Sequence, residues 1–459
     1  VRKRKLVILA ASIGLALVLV LSGCAAPVTP GAPGTPTGPA TDKMYKALNP
    51  RGGPEAEPRI AFTGTLDDAQ GFYQNTTTVA KLGNAIIAKW TDGLPIIIPT
   101  EEAVKEILTG TSHKASEVMS TYSKDASGKW VKSTTPASFL PSGWQATVEK
   151  VAVNAVMAGC KPEYLPAVLA MMSGGPNYEN SKWPVGYFQL VSGPYAKEIG
   201  FNAGQGAMNP GNPPSMTIGR SFQLCLINLG GCMAGSTDIS LGHPLNRTEL
   251  CYAEDYEALP TGWVGMSEDC GYAKTESVIM LMKTISEMGG QFAPSSFRAL
   301  NSGEGGIARK LGVEGKPGYY NFVEYMFQWQ LMPGETTGGV PVVGAPGVLQ
   351  PGPLFFSMHP DMALSLVNAG LKTKAEFYQW VYDRSVTPVS DYRKYGWYDE
   401  NAIEPTSGKA YKDLAADYKV HVFGPAKDML AIVSHWPGDE SVFVFTGGRG
   451  IARCIDPWR

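Results

Sequence analysis

The chain carries no GxGxxG run and no Walker pattern of glycines closing on Lys-Ser/Thr, so neither common phosphate-binding fingerprint is present. None of its seven cysteines is spaced as CxxC, which removes the zinc-ribbon and thioredoxin-type readings. Histidine is scarce, at five residues. Charge is scarce too: Asp, Glu, Lys and Arg make up 17%, against the usual quarter, with a formal net charge of −2. Nucleic-acid binding needs a basic face, and none is indicated. After residue 21 no run is long and apolar enough to span a membrane.

What is abundant is glycine (53) and proline (35), which point to many ordered turns and long loops. The first residues hold the strongest local signal. Val1-Arg2-Lys3-Arg4-Lys5 is a positive n-region, Leu6 to Leu21 an apolar h-region, and Leu21-Ser22-Gly23-Cys24 looks like a bacterial lipobox. The expectation is a lipoprotein signal peptide over 1–23, cleaved before a lipidated Cys24, with a lipid on that sulfur as the membrane contact. Loss of Arg2, Lys3, Arg4 and Lys5 takes the formal charge from −2 to −6. Residues 24–42, rich in Pro, Gly, Thr and Ala, read as an extended tether. The body is expected outside the cytoplasm, where the remaining six cysteines permit three disulfides.

Hydrophobic spacing predicts a strand at Arg59–Phe62, helices at Thr77–Trp90, Gln145–Gly159 and Met216–Leu229, and a helix opening after Thr100. Ser215 is the expected cap of the Met216 helix, and Gly230-Gly231 its stop. Buried strands are expected at Val185–Val191, Pro353–Met358, Met429–Ser434 and Ser441–Phe445, with helices at Asp361–Asn368 and Thr373–Ser385. Glu276–Met282 fits a strand or a helix start, and residues 111–140 a surface excursion. No fixed-period repeat is apparent. Strands alternate with helices, so the class is α/β, with mixed sheets, flanking helices and long Gly/Pro-rich loops. The expected division is a main α/β domain over 43–331, a linker or lid at 332–352, and an α/β segment at 353–459 that could complete the same domain.

Phe201 to Leu259 gathers most of the unusual chemistry. Gly204, Gly206, Asn209, Gly211 and Asn212 form a loop before a helix, where backbone N–H groups can hold an anion. Arg220 sits one turn into that helix, against its macrodipole, and needs a carboxylate, carbonyls or a ligand anion as partner. Arg220, Arg247, Asn209 and Asn212 are therefore candidate substrate contacts. Cys251, beside His243, Arg247, Glu254 and Asp255, could be a nucleophile with Glu254 as acid or base, a metal ligand, a disulfide partner or a half-buried thiol. Cys160, at a helix end before Pro162, is a candidate to converge on the same loop. His359 reads as a loop residue at a helix start. His435 follows a buried strand, a favourable position for a site in an α/β sheet, and Gly447-Gly448-Arg449 could place a cation near it.

Several segments resemble a bacterial family some of whose members are labelled UGSC family (seleno)protein. They are Asp92–Glu102 (DGLPIIIPTEE), Thr147–Ala170 (TVEKVAVNAVMAGCKPEYLPAVLA), Val191–Arg220 and Leu241–Glu257 (LGHPLNRTELCYAEDYE), with weaker matches at His359–Asp391 and Leu430–Ile455. The resemblance implies no particular activity. The chain lacks the Cys/Sec-Gly-Ser-Cys tetrapeptide of that label, so a selenocysteine or redox reading does not carry over. The combined expectation is an exported, lipid-anchored enzyme on a small, anionic substrate, working by thiol or acid/base chemistry. The alternatives are a solute-binding lipoprotein of two similar lobes and a surface protein without a small ligand. No cofactor, metal, protein partner or oligomeric state is indicated.

Overall fold

The computed structural model describes residues 43–74, 81–82, 85–86, 89–176, 185–233, 237, 250–285, 295–297, 354–368, 370–384, 386–390, 393, 400–421, 425–435, 442–446 and 450–459. The signal segment, Cys24 and the rest of the tether, the 332–352 linker, His243, Arg247 and Gly447–Arg449 lie outside them. Residues 44–459 form a unit of their own.

The chain first lays down an outer shell. Strands β1 (Tyr45–Leu48) and β2 (Ile60–Gly64) pair antiparallel. Helix α1 (Leu66–Tyr73) is capped by Thr65, whose hydroxyl accepts from the Asp68 N–H. Strands β3 (Lys81–Leu82) and β4 (Ala85–Ile86) pair antiparallel where the spacing predicts a helix over Thr77–Trp90. The Gly83-Asn84 dipeptide between them is a hairpin signal that outweighs the apolar periodicity. Helix α2 (Glu101–Ile107) is capped by Thr100, as its sequence implies. A short hairpin, β5 (Tyr122–Lys124) and β6 (Trp130–Lys132), fills the 111–140 excursion, though Met119, Ala137 and Phe139 around it are buried.

Beneath the shell lies α3 (Val148–Ala158), which Thr147 caps and Gly159 ends at φ 90°. Its sequence looks amphipathic, yet ten of its eleven residues are buried, because the shell covers the face that would otherwise meet water. Helix α4 (Leu165–Met172) is buried throughout. Strand β7 (Val185–Ser192), α5 (Pro194–Glu198) and α6 (Pro213–Gly230) follow, then β8 (Leu250–Ala253), α7 (Met266–Asp269), β9 (Val278–Ile285) and β10 (Ser295–Phe297). Strand β11 (Leu354–Met358) leads to α8 (Pro360–Asn368), α9 (Lys374–Arg384) and the β12–β13 pair (Val386–Pro388, Lys419–His421). The chain closes with β14 (Leu430–Val433), β15 (Val442–Thr446) and β16 (Ile451–Cys454).

Two four-stranded sheets result, ordered β16-β9-β7-β8 and β10-β15-β11-β14. In the first, β7 is parallel to β8 and antiparallel to β9, which is antiparallel to β16. In the second, β11 is parallel to β14 and antiparallel to β15, which is antiparallel to β10. The topologies are the same. Each half runs central strand, helical crossover, parallel neighbour, antiparallel neighbour and edge strand, but the edge strand joins the sheet of the other half. No repeat period shows in the sequence because helices, insertions and loops of different length separate the matching strands.

Strand alternation sets the layers. Tyr187, Val191, Cys251, Ala253 and Ile279 pack with α3, α4 and α6. Leu190, Tyr252, Val278, Met280 and Met282 point the other way, into a core shared with Phe355, Leu430 and Ile432 of the second sheet. Leu354, Phe356, Met358, Ala431 and Val433 pack with α8 and α9. The order is helices, sheet, sheet, helices: an α/β fold with mixed sheets.

Arg51 ties the shell to this body. Its guanidinium donates to the Ile227 carbonyl (2.6 Å) in the last turn of α6 and to Lys89 O (2.6 Å), with Trp90 beneath it at 5.3 Å. Burial lowers its pKa from the ordinary value, and the nearby Glu55 only partly opposes this. Arg51→Met should lower the unfolding free energy by about 2–4 kcal/mol, because a buried and a part-buried carbonyl lose a charged donor. Urea titration of the two proteins measures the difference.

Candidate functional site

The parallel strands of both sheets end on the same side. The Glu254 N–H donates to Val191 O (2.8 Å) as β8 leaves the first sheet, and the Ser434 N–H donates to Met358 O (2.8 Å) as β14 leaves the second. Val191 and Met358 thus hold matching positions. So do Glu254 and Ser434, Asp255 and His435, and Ser192 and His359. The Asp255 N–H donates across to Val433 O (2.8 Å), stitching the two strand ends together. The carboxyl ends of parallel strands are where α/β sheets place ligands.

Three side chains meet there. His435 Nε2 lies 3.1 Å from Asp255 Oδ2. The other oxygen of Asp255 accepts from the Ala258 N–H (3.2 Å), which fixes the carboxylate. The His359 ring stands edge-on to the His435 ring, centroids 4.8 Å apart. Its Nδ1 accepts from the Asp361 N–H (3.3 Å) at the start of α8. His435 and Asp255 are 26% and 19% exposed, so water and a small solute reach them. With Nε2–H directed at Asp255, neutral His435 keeps Nδ1 as its basic nitrogen. The Gly/Asn loop is adjacent: a Cβ on Gly204 would stand 4.0 Å from Asp255 Oδ2.

Below this rim lies a sealed ion pair. Glu254 Oε1 is 3.2 Å from Lys374 Nζ, with side-chain exposures of 0% and 1%. Glu254 Oε2 accepts from the Ser192 hydroxyl (2.6 Å) and the Met266 N–H (2.7 Å), while Lys374 also donates to Ala431 O (2.7 Å). Lys374 begins α9, where the macrodipole disfavours a cation, and Glu254 offsets that cost.

The geometry redistributes the roles read from sequence. Glu254 is wholly engaged in this network and does not face a cleft. Cys251 points from β8 into the helix-side core, 1% exposed, away from the rim. Cys160 is its half-buried neighbour, with its sulfur among the Thr217 and Ser221 hydroxyls, and desolvation of that sulfur pushes its thiol up to about 12. Burial also drives the Cys225 and Cys251 thiols well above their ordinary value. These are packing thiols and not activated nucleophiles. Cys160, Cys225, Cys251 and Cys454 carry free thiols, so the six cysteines do not form the three permitted disulfides. Among the described residues no cluster of three or more His, Cys, Asp or Glu could hold a metal.

Arg220 has its carboxylate: Nε and a terminal nitrogen fork onto Asp92 at 2.8 and 2.9 Å, and it donates to Leu94 O (3.2 Å). Asn212 is buried and staples the loop to itself, donating to Asn202 O and Ala207 O. Asn209 is exposed, its N–H closing a turn on Gly206 O. The helix after the loop begins at Pro213-Pro214, three residues earlier than a Ser215 cap suggests, because proline is preorganised for the first helical positions. Those prolines lack N–H groups, so this helix start is a poor anion cradle. The Ser215 hydroxyl caps nothing and donates to Cys251 O (2.6 Å).

Sequence reasoning undervalued His359, treated Asp255 as a companion of Cys251, and missed Lys374 and Ser192. The available signal was positional: Ser192 ends a strand, and each of Asp255, His359 and His435 follows a buried strand within two residues.

Compared with protein-family models, curated proteins and solved structures, the chain matches none. Fold and rim together define an α/β protein of two topologically matching halves with exchanged edge strands and one composite polar site.

The Glu254–Lys374 pair should behave as a unit. Lys374→Met or Glu254→Gln alone should each cost about 3–5 kcal/mol of stability, and the double variant should recover part of that loss. Chemical denaturation of the four proteins gives the coupling.

Proposed function

We propose that the protein is an enzyme with its acid–base centre at His435, Asp255 and His359, acting on a small polar substrate at the strand-end rim. The observation that carries this reading is the His435–Asp255 contact at 3.1 Å with the His359 ring beside it. One imidazole is oriented by a fixed carboxylate and keeps a basic nitrogen; a second stands close enough to return the proton. The thiol variant of this chemistry has no support from the burial of Cys160 and Cys251. An anionic substrate loses one argument, since Arg220 is already paired with Asp92. The solute-binding alternative expects a cleft between two lobes, whereas the two halves here share an apolar core.

Within this proposal the protein is exported and lipid-anchored through Cys24, which rests on the lipobox-like Leu21-Ser22-Gly23-Cys24, and is related to the UGSC-labelled family by the segments quoted above. The short tether would hold the body off the membrane.

A substrate panel of small esters, amides, hydroxy acids and sugar acids tests the activity. His435→Ala should lower kcat by about 10²–10⁴ on any substrate turned over, and Asp255→Asn should lower it with little change in KM. Full activity in His435→Ala would remove the centre from the reaction. Separately, cells fed a labelled fatty acid should yield labelled wild-type protein in the membrane fraction. The Cys24→Ala protein should be unlabelled.

A further inference from the structure

A second feature lies at the start of α3 and shares no residue with the acid–base centre. A groove of about 520 Å³ opens between the start of α3 and the segment joining β1 to β2, with Gly52, Glu57, Arg59, Gln145, Thr147 and Lys150 among its walls. Lys150 is only 8% exposed. Its Nζ donates to Asn49 O (2.6 Å) and Ala56 O (3.2 Å), and among the described residues it makes no ion pair. The nearest candidate, Glu149, is held by Arg59 at 2.7 Å, and Arg59 also reaches Glu101 at 2.8 Å.

This is an unusual setting for a lysine. A buried ammonium normally has a carboxylate partner. Two carbonyl acceptors suit a neutral amine equally well, since it has two N–H donors to give and a lone pair left over. Burial pulls the Lys150 pKa down to about 8; Glu149 and Glu57 oppose the shift, and Arg59 adds to it. At pH 7 such a lysine holds roughly 300 times more free amine than one with the ordinary value.

We propose that this groove is a carbonyl-binding site in which Lys150 Nζ captures a small aldehyde as an imine. The lone pair attacks the carbonyl carbon and a C–N bond forms. The nitrogen gives up its two protons, the carbonyl oxygen takes them and leaves as water, and the C=N bond remains. The Glu57 carboxylate, exposed at the mouth of the groove, is placed to relay them from nitrogen to oxygen. No oxidant or reductant is consumed.

Glyoxylate with cyanoborohydride, which traps the imine as a secondary amine, tests this on the full chain. Peptide mapping should show Lys150 labelled at least tenfold more than the exposed Lys105 and Lys161 at pH 7. Labelling of Lys150 should level off above about pH 8.5, while labelling of the two exposed lysines keeps rising. Lys150→Arg should abolish the dominant adduct. If that variant fails to fold, the wild-type map decides by itself. Labelling that follows exposure, with Lys150 at or below Lys105 and Lys161, overturns the proposal.

Discussion

A carboxylate and an ammonium, both withdrawn from water, join the two halves of this protein. Glu254 belongs to the end of β8 and Lys374 to the start of α9, 120 residues apart. Neither charge could be buried alone, because an unpaired ion in a protein interior costs several kcal/mol. Each half therefore supplies what the other requires. The Ser192 hydroxyl and the Met266 N–H take up the second oxygen of Glu254, so the carboxylate is satisfied from both sides. Asp255, the next residue, then has little freedom: its N–H is committed to Val433 O in the second sheet, and its side chain emerges beside His435. The geometry of the exposed rim is inherited from the buried pair beneath it.

The exchange of edge strands acts in the same direction. β10 adds to the second sheet and β16 to the first, so neither half completes its sheet from its own strands. Such an arrangement disfavours separation of the halves, since parting them would unpair strands in both. The apolar core between the sheets, from Leu190 and Tyr252 to Phe355 and Ile432, is then sealed by backbone hydrogen bonding as well as by burial.

Local signals in the sequence were read well where local physics decides the outcome. Thr100 caps a helix, Gly231 ends one, and β7, β11, β14 and β15 fall on their apolar runs. The failures come from contacts that no window contains. The periodicity of 77–90 competes with a Gly-Asn turn signal. The full burial of α3 depends on a shell formed by residues 44–140. The residues expected to converge on the 201–259 stretch lie apart for the same reason. A cation working against a helix macrodipole was correctly seen as a demand for a partner, but Arg220 meets that demand at the surface with Asp92, whereas the buried instance is Lys374. Cysteines drew attention as nucleophiles because the sequence shows their reactivity and not their burial.

The matching of the halves also bears on why there is one composite rim and not two. Equivalent positions carry different residues: Asp255 against His435, Ser192 against His359, Glu254 against Ser434. Had both halves kept the same residue, the 255/435 contact would set like against like, two carboxylates or two imidazoles at about 3 Å, and one would resist ionisation. Divergence at that single pair turns a repulsive contact into an attractive one and gives the imidazole a fixed orientation. The 192/359 pair diverges in a related way. In the first half a small hydroxyl closes the Glu254 network, and in the second the buried His359 imidazole packs edge-on against His435. Both halves contribute to the buried pair and to the exposed contact: Glu254 and Asp255 come from the first, Lys374 and His435 from the second. The rim lies where the two halves meet.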